Sequence, residues 1–362
     1  MSALFTPFDL GPVRLPNRIV VSPMCQYSAD DGSASDWHFQ HLPSLGMSGA
    51  GLVMTEATHV ERHGRITHGC LGLYSDSNEA ALARLMAATR RVSPRETRFG
   101  VQLAHAGRKG SATRPWEGGM PLAADQDPWR TVAPSALPFN AGWQTPDALD
   151  AGGIERIIVA FVSAAQRAVR IGFDVVELHC GHGYLLHQFY SPLANQRTDQ
   201  WGGSPENRAR IILTIAERVR AVLPAHIALG ARITGTDWAE GGVTIDDAVH
   251  LATSLKSLGL DYVDVTGGFV VPPSGIPFGP GFQAPLAAQV RREAAIATRA
   301  VGGITDPIQA NAIIERGDAD MVALARAFLA DPRWGWRAAD ALGDDVTYPP
   351  QYLRAKGVFG PG

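Results

Sequence analysis

Short apolar runs alternate with longer amphipathic segments rich in Ala, Arg and Glu along most of this chain. That alternation is the pattern of repeated strand–helix units. Eight runs read as buried strands, at residues 18–22, 51–56, 99–104, 173–178, 227–233, 262–266, 298–301 and 321–324. Helix-period segments at 78–92, 154–171, 205–223, 245–258, 285–295 and 307–316 follow most of them. Ser204-Pro205-Glu206 sets a capping serine, a first-position proline and a first-turn carboxylate at one helix start, and Thr244 and Asp306 can cap two others. Gly172, Gly259 and Gly317 stand where helices should end. Eight such units with right-handed crossovers predict an α/β fold that closes into a (β/α)8 TIM barrel. An open doubly wound sheet is the alternative, but no GxGxxG follows the first run.

Two stretches fall outside the repeat. Residues 5–16, with Gly11-Pro12 between short apolar segments, read as a hairpin able to cover the barrel's N-terminal end. Residues 111–146 follow the third strand and are rich in Pro, Gly, Asp and Trp. A loop of that length in a compact domain is usually functional, and this one reads as an active-site lid. No linker divides the chain, so residues 1–362 are expected to form a single domain with that insertion and a C-terminal tail at 347–362.

Composition narrows the partners. Hydrophobic residues make up 45% and charged residues 19% of the 362, with a formal net charge of -3, which points to no nucleic acid or membrane as a partner. No apolar run approaches the roughly 20 residues of a membrane span, and the N-terminus lacks a secretory pattern. Cys25, Cys70 and Cys180 cannot all pair, and none sits in a CxxC, zinc or iron–sulfur spacing. These features predict a cytoplasmic protein acting on a small molecule.

Candidate chemistry collects where apolar runs stop. In HCGHGYLLHQFYSPLANQRTDQWGGS, the residues His179, His182 and Tyr184 fall at the exit of the fourth strand, the end at which barrel side chains meet ligands. The histidines can be structural, can ligate a metal, or can donate to one carbonyl or anionic oxygen and stabilise enolate charge. A metal-dependent barrel hydrolase or lyase is therefore the alternative function, although no HExxH or His-plus-carboxylate pattern supplies a third ligand. Tyr184 can donate a proton or pack in the wall. Cys25, in SPMCQYS, can be a buried small hydrophobe, but it shares its face with Gln102, His105 and Arg232. Near the end of the chain, AVGGITDP and ALARAF place Gly302, Gly303 and Arg326 just after the last two strands, the common phosphate site of barrels. Arg232 would be a costly buried charge without an anionic or electron-rich partner.

Together NRIVVSPMCQYS, TEAT, QLAHAGRK, the His179 to Ser204 string, AVGGITD and ALARAFLADP closely resemble the Old Yellow Enzyme family of flavin-dependent ene reductases, over nearly the whole chain. Cys25 and Tyr27 make it most similar to the bacterial branch that includes xenobiotic reductase A. The resemblance implies a tightly but non-covalently bound FMN, with NADPH favoured over NADH as reductant. It implies reduction of the C=C bond of α,β-unsaturated carbonyl compounds, with nitro compounds and quinones as further oxidants. It places Ser22, Pro23, Met24, Cys25, Ala57, Gln102 and Arg232 on the isoalloxazine, and Gly302, Gly303, Ala325 and Arg326 on the phosphate. His179 and His182 would hold the substrate oxygen, Tyr184 would protonate the α-carbon, and Cys25 would tune the flavin. Tyr27 and Lys109 would line the pocket, while Arg354 would reach a neighbouring site in a homodimer or homotetramer. Ala325 departs from the usual glycine, and Gly181 from the alanine expected between the histidines.

Overall fold

Eight parallel strands hydrogen-bond in sequence order and close on themselves: β1 (Ile19–Val21), β2 (Leu52–His59), β3 (Arg98–Ala104), β4 (Val175–Cys180), β5 (Ala228–Thr234), β6 (Tyr262–Thr266), β7 (Ala297–Val301) and β8 (Met321–Leu324). The computed structural model describes residues 1–273 and 275–358. Around the barrel lie α1 (Asp36–Gly46), α2 (Asp76–Val92), α3 (Ala151–Ile171), α4 (Leu185–Tyr190), α5 (Pro205–Val222), α6 (Ile245–Ser257), α7 (Ala284–Ala294), α8 (Pro307–Glu315), α9 (Arg326–Ala330) and α10 (Trp334–Leu342). No helix among the described residues is long and apolar enough to cross a membrane. The caps read from sequence are in place: Ser204, Thr244 and Asp306 each accept a backbone N–H from the first turn.

Period-two alternation sorts the strand residues into two cores. Ile19, Val21, Val53, Val101, Val176, Leu229, Val263 and Val322 face outward and pack against the helices. Val20, Leu52, Met54, Val175, Ala228, Tyr262 and Met321 face inward and fill the lower barrel. Gly230 is what admits Tyr262, since a Cβ there would lie 2.1 Å from its ring. The predicted hairpin forms, pairing Phe8–Leu10 with Val13–Leu15, and its Leu10, Val13 and Leu15 join the inward core as a plug. Each such burial contributes roughly 1.5–3 kcal/mol. Apolar filling below leaves the inward positions above it for polar groups.

Sequence periodicity misses α1, α4, α9 and α10. Pro43 interrupts α1, which instead rests on a capping box between Ser35 and His38 and on buried Leu42 and Leu45. The 111–146 segment is folded over the strand ends rather than structureless: it carries a short turn at Pro115–Glu117, and its Val132–Ala133 pairs with Asp147–Ala148. Trp129 fastens it, donating its ring N–H to the His63 carbonyl at 2.9 Å. Of the predicted tail, residues 359–362 lie outside the described residues.

Candidate active site

The fourth strand runs further than the apolar pattern suggests. His179 lies inside β4 instead of beyond it, paired in register with Arg232 of β5. His182 follows in a turn with φ +55. That turn is held by His187, whose Nδ1 accepts the Gly183 N–H at 2.8 Å while Nε2 faces Asp237 Oδ1 at 2.8 Å, both side chains fully buried. The result brings His179 Nε2 within 3.3 Å of His182 Nδ1.

Tautomers follow from the neighbours. The Gly181 N–H faces His179 Nδ1 at 3.4 Å, leaving Nε2 as the protonated nitrogen. Thr266 Oγ1 lies 2.8 Å from His182 Nε2. With the hydroxyl donating there, His182 carries its proton on Nδ1, the nitrogen that lies 3.3 Å from His179 Nε2, so the two rings present these nitrogens side by side. Burial first, and then the Arg232 charge, hold both imidazoles well below the ordinary histidine range, so they are neutral donors. Tyr184 stands beside them, its ring 5.2 Å from that of His179. Burial pushes its hydroxyl far up, which keeps the proton on it.

Arg108 and Lys109 tie three loops over these groups. Lys109 Nζ donates to the carbonyls of His182 (2.8 Å) and Phe269 (3.0 Å) and lies over the rings of Phe139 and Tyr184. Arg108 donates to the Val270 carbonyl at 2.7 Å and to that of Leu137 at 3.2 Å. Desolvation brings the Lys109 ammonium down to about 7.

Opposite them, Ser22 is buried and Pro23 to Ala29 are half-buried where β1 ends. Cys25 is free, and burial, followed by the Glu56 charge, holds it as a thiol, which makes it a poor nucleophile. Glu56 anchors this loop by accepting the Gln26 N–H at 3.0 Å, and it meets His38 Nε2 at 3.2 Å. Tyr27 has φ +50 and meets the lid through Trp116, ring centroids 5.8 Å apart. A bulge in β2 between Met54 and Ala57 brings Ala57 opposite Gln102. Gln102 donates to Glu177 Oε1 at 2.8 Å, and Arg232 Nε lies 3.1 Å from Asp264 Oδ1.

Past β7, Gly302 (φ +101) and Gly303 (φ +67) leave no room for side chains: a Cβ on Gly303 would lie 2.0 Å from the Gly279 carbonyl oxygen. Ala325 has φ -109 and ψ -82, outside the left-handed region that would require glycine. Arg326 is exposed and has no ion-pair partner among the described residues. Arg354 is the predicted residue that the fold does not bring to this mouth. It lies in the exposed turn Pro350–Ala355. Leu353 of that turn and Lys356 just after it line a cleft with Asn17, Gly49 and Thr97, which precede β1, β2 and β3 and so mark the opposite end of the barrel. The metal alternative gains nothing: among the described residues no group of three or more His, Cys, Asp or Glu side chains is placed to hold an ion. Thr266, Glu177, Asp264, Arg299, Glu56, His38 and His187 are the site-shaping residues that motif reading missed; polar residues at alternate positions of apolar strands are the signal that marks the first four.

Comparison with known proteins agrees with this geometry. Residues 3–345 match the NADH:flavin oxidoreductase / NADH oxidase family. The chain belongs to this family, the Old Yellow Enzymes. An NADPH dehydrogenase of Geobacillus sp. (strain WCH70) is 42% identical over 97% of this chain and 98% of its own length. One from Listeria innocua is 42% identical over 98% of this chain and 99% of its own. Morphinone reductase superposes with a TM-score of 0.75 at 29% identity, covering 100% of this chain and 94% of its own. A 2-naphthoyl-CoA reductase shares the fold, with a TM-score of 0.84 at 23% identity over 99% of this chain and 56% of its own.

This Old Yellow Enzyme is a flavin-dependent oxidoreductase, and its mouth suits a flavin mononucleotide. Gln102 and Arg232 are buried and polar on the inner wall. Gln283 Oε1 is buried without a partner, and the same side chain's Nε2 lies 2.3 Å from where a Cβ on Gly302 would stand. Gly302 and Gly303 follow β7 and the exposed Arg326 follows its neighbour β8, a combination of backbone N–H groups and a guanidinium that suits a phosphate.

Proposed function

We propose that this enzyme binds FMN, takes reducing equivalents preferentially from NADPH, and reduces the C=C bond of α,β-unsaturated carbonyl compounds, with nitro compounds and quinones as further oxidants. The observation that carries this reading is the pair of ring nitrogens, His179 Nε2 and His182 Nδ1, 3.3 Å apart beside the Tyr184 ring. When bound, the flavin supplies two-electron chemistry, accepting from the nicotinamide and delivering to the alkene.

The protein groups do the rest. His179 and His182 donate to the substrate carbonyl oxygen, where negative charge develops, a contribution of about 3 kcal/mol per aligned donor. Tyr184 gives its proton to the α-carbon. Ser22, Pro23, Met24, Cys25, Ala57, Gln102 and Arg232 line the ring, Gly302, Gly303, Ala325 and Arg326 take the phosphate, and Tyr27 and Lys109 wall the substrate under the 111–146 lid. A cytoplasmic homodimer or homotetramer completes the reading, because Arg354 is exposed at the far end of its own barrel and is free to serve a neighbour's mouth.

The test is a visible spectrum of the purified protein followed anaerobically. Bleaching of a flavin band by NADPH and its return on adding cyclohexenone are expected. A protein that stays colourless with added FMN would overturn the reading.

A further inference from the structure

Inward positions of four neighbouring strands carry charges in the middle of the barrel: Glu177 in β4, Arg232 in β5, Asp264 in β6 and Arg299 in β7. Glu177, Asp264 and Arg299 are fully buried, and Arg232 nearly so. Arg299 Nε donates to Asp264 Oδ2 and its Nη2 donates to Glu177 Oε2. Asp264 is therefore shared, its other oxygen lying 3.1 Å from Arg232 Nε. The same Glu177 Oε2 also accepts from the Tyr262 hydroxyl at 2.7 Å, and its Oε1 accepts from Gln102 Nε2 at 2.8 Å. Two carboxylates and two guanidiniums sum to zero.

Such a set is costly to bury, and apolar residues of similar volume commonly stabilise a core better. Only its upper members, Gln102 and Arg232, belong to the proposed flavin wall. Without Arg299 the wall would rest on two carboxylates and one guanidinium, a net negative charge. We propose that Arg299 is a positioning residue for the flavin site: by engaging Asp264 and Glu177 from below, it stops them from neutralising Arg232 and so raises the flavin's affinity for electrons. Charge beside the ring is the protein's lever on a cofactor's electronics, and Arg299 works that lever through Asp264. The same network directs the Gln102 amide N–H toward Glu177, leaving its carbonyl oxygen to accept from the ligand. The inference rests on the reading that the flavin lies against Gln102 and Arg232.

The experiment is an anaerobic redox titration of the flavin-loaded protein against a reference dye, with sulfite binding to the flavin as a second readout. Four proteins are compared: wild type, Arg299→Met, Asp264→Asn and the double variant. Arg299→Met leaves a net charge of about -1 in the network and is expected to lower the potential and weaken sulfite binding at least tenfold, equivalent to about 30 mV for a two-electron couple. Asp264→Asn should shift both in the opposite direction, and the double variant, neutral again, should return close to wild type. Removing one member strands a buried charge whereas removing both does not, so if Arg299→Met does not fold, the ordering of Asp264→Asn above the double variant decides. Shifts of the same sign in both single variants, or unchanged potentials in proteins that hold flavin, overturn the inference while leaving the reductase reading intact. A wild-type protein that takes up no flavin overturns both.

Discussion

Thr266 Oγ1 lies 2.8 Å from His182 Nε2, on the side of the imidazole away from His179. Donation by the hydroxyl there leaves the His182 proton on Nδ1, the nitrogen beside His179 Nε2. Thr266→Val keeps the shape and removes the donor. Loss of about 1 kcal/mol of hydrogen bonding is expected, read as roughly fivefold weaker binding of a phenolate that mimics the enolate, with flavin content unchanged. Gly181→Ala should act through the same contact, since a Cβ at that position would press on Thr266 Cγ2 at 3.0 Å. Undiminished phenolate affinity in both variants would release Thr266 from this role.

Tyr184→Phe leaves the ring against His179 and removes only the proton. Reoxidation of the flavin by cyclohexenone should slow by about 10²–10⁴-fold, while reduction by NADPH stays nearly unchanged in stopped-flow traces. Burial raises the hydroxyl far above the working range, so the wild-type reoxidation rate should show no ionisation of Tyr184 between about pH 6 and pH 9. Equal slowing of both half-reactions would count against the assignment.

Lys109 makes the fold pH-dependent. Its ordinary value of 10.5 falls to about 7 in the folded protein through desolvation, with Arg108 adding to the shift. Between those values the unfolded chain binds a proton that the folded one lacks, so stability rises with pH across the window. Lys109→Met should remove a slope of about 1.4 kcal/mol per pH unit, measured as urea midpoints of the flavin-loaded protein at several pH values. Parallel profiles for the two proteins would show that Lys109 stays charged throughout.

The phosphate assignment separates FMN from riboflavin. Arg326→Met should weaken FMN binding by about tenfold, a loss typical of one exposed charge-assisted contact, and leave riboflavin binding untouched. Gly303→Ala should weaken FMN binding as well, because φ is +67 and its methyl would collide with the Gly279 carbonyl. Fluorescence titration of the apoprotein with each ligand reads both effects. Equal losses for riboflavin would place the phosphate elsewhere.

The barrel was legible because it rests on local rules. Alternating apolar runs, capping residues such as Ser204 and Asp306, and the Gly11-Pro12 turn act over a few residues and leave their mark in sequence. His179, His182, Tyr184, Cys25 and Arg232 were legible for a related reason: parallel strands place every C-terminal exit on one face. Of the helices that periodicity misses, α1 holds a proline at Pro43, α4 and α9 span only 6 and 5 residues and α10 only 9, and they are kept by packing that periodicity does not register.

Sequence by itself thus determined the repeat, the closed barrel and the identity of the groups at its mouth, since each depends on residue type and spacing along the chain. Tertiary structure decided which groups touch: Thr266 with His182, Lys109 with the carbonyls of His182 and Phe269, Arg299 with Asp264 and Glu177, and Arg354 at the far end from its own mouth. Those contacts join residues far apart in the chain, and their geometry is set by strand register, the β2 bulge and left-handed turns, which only closure of the barrel brings into being.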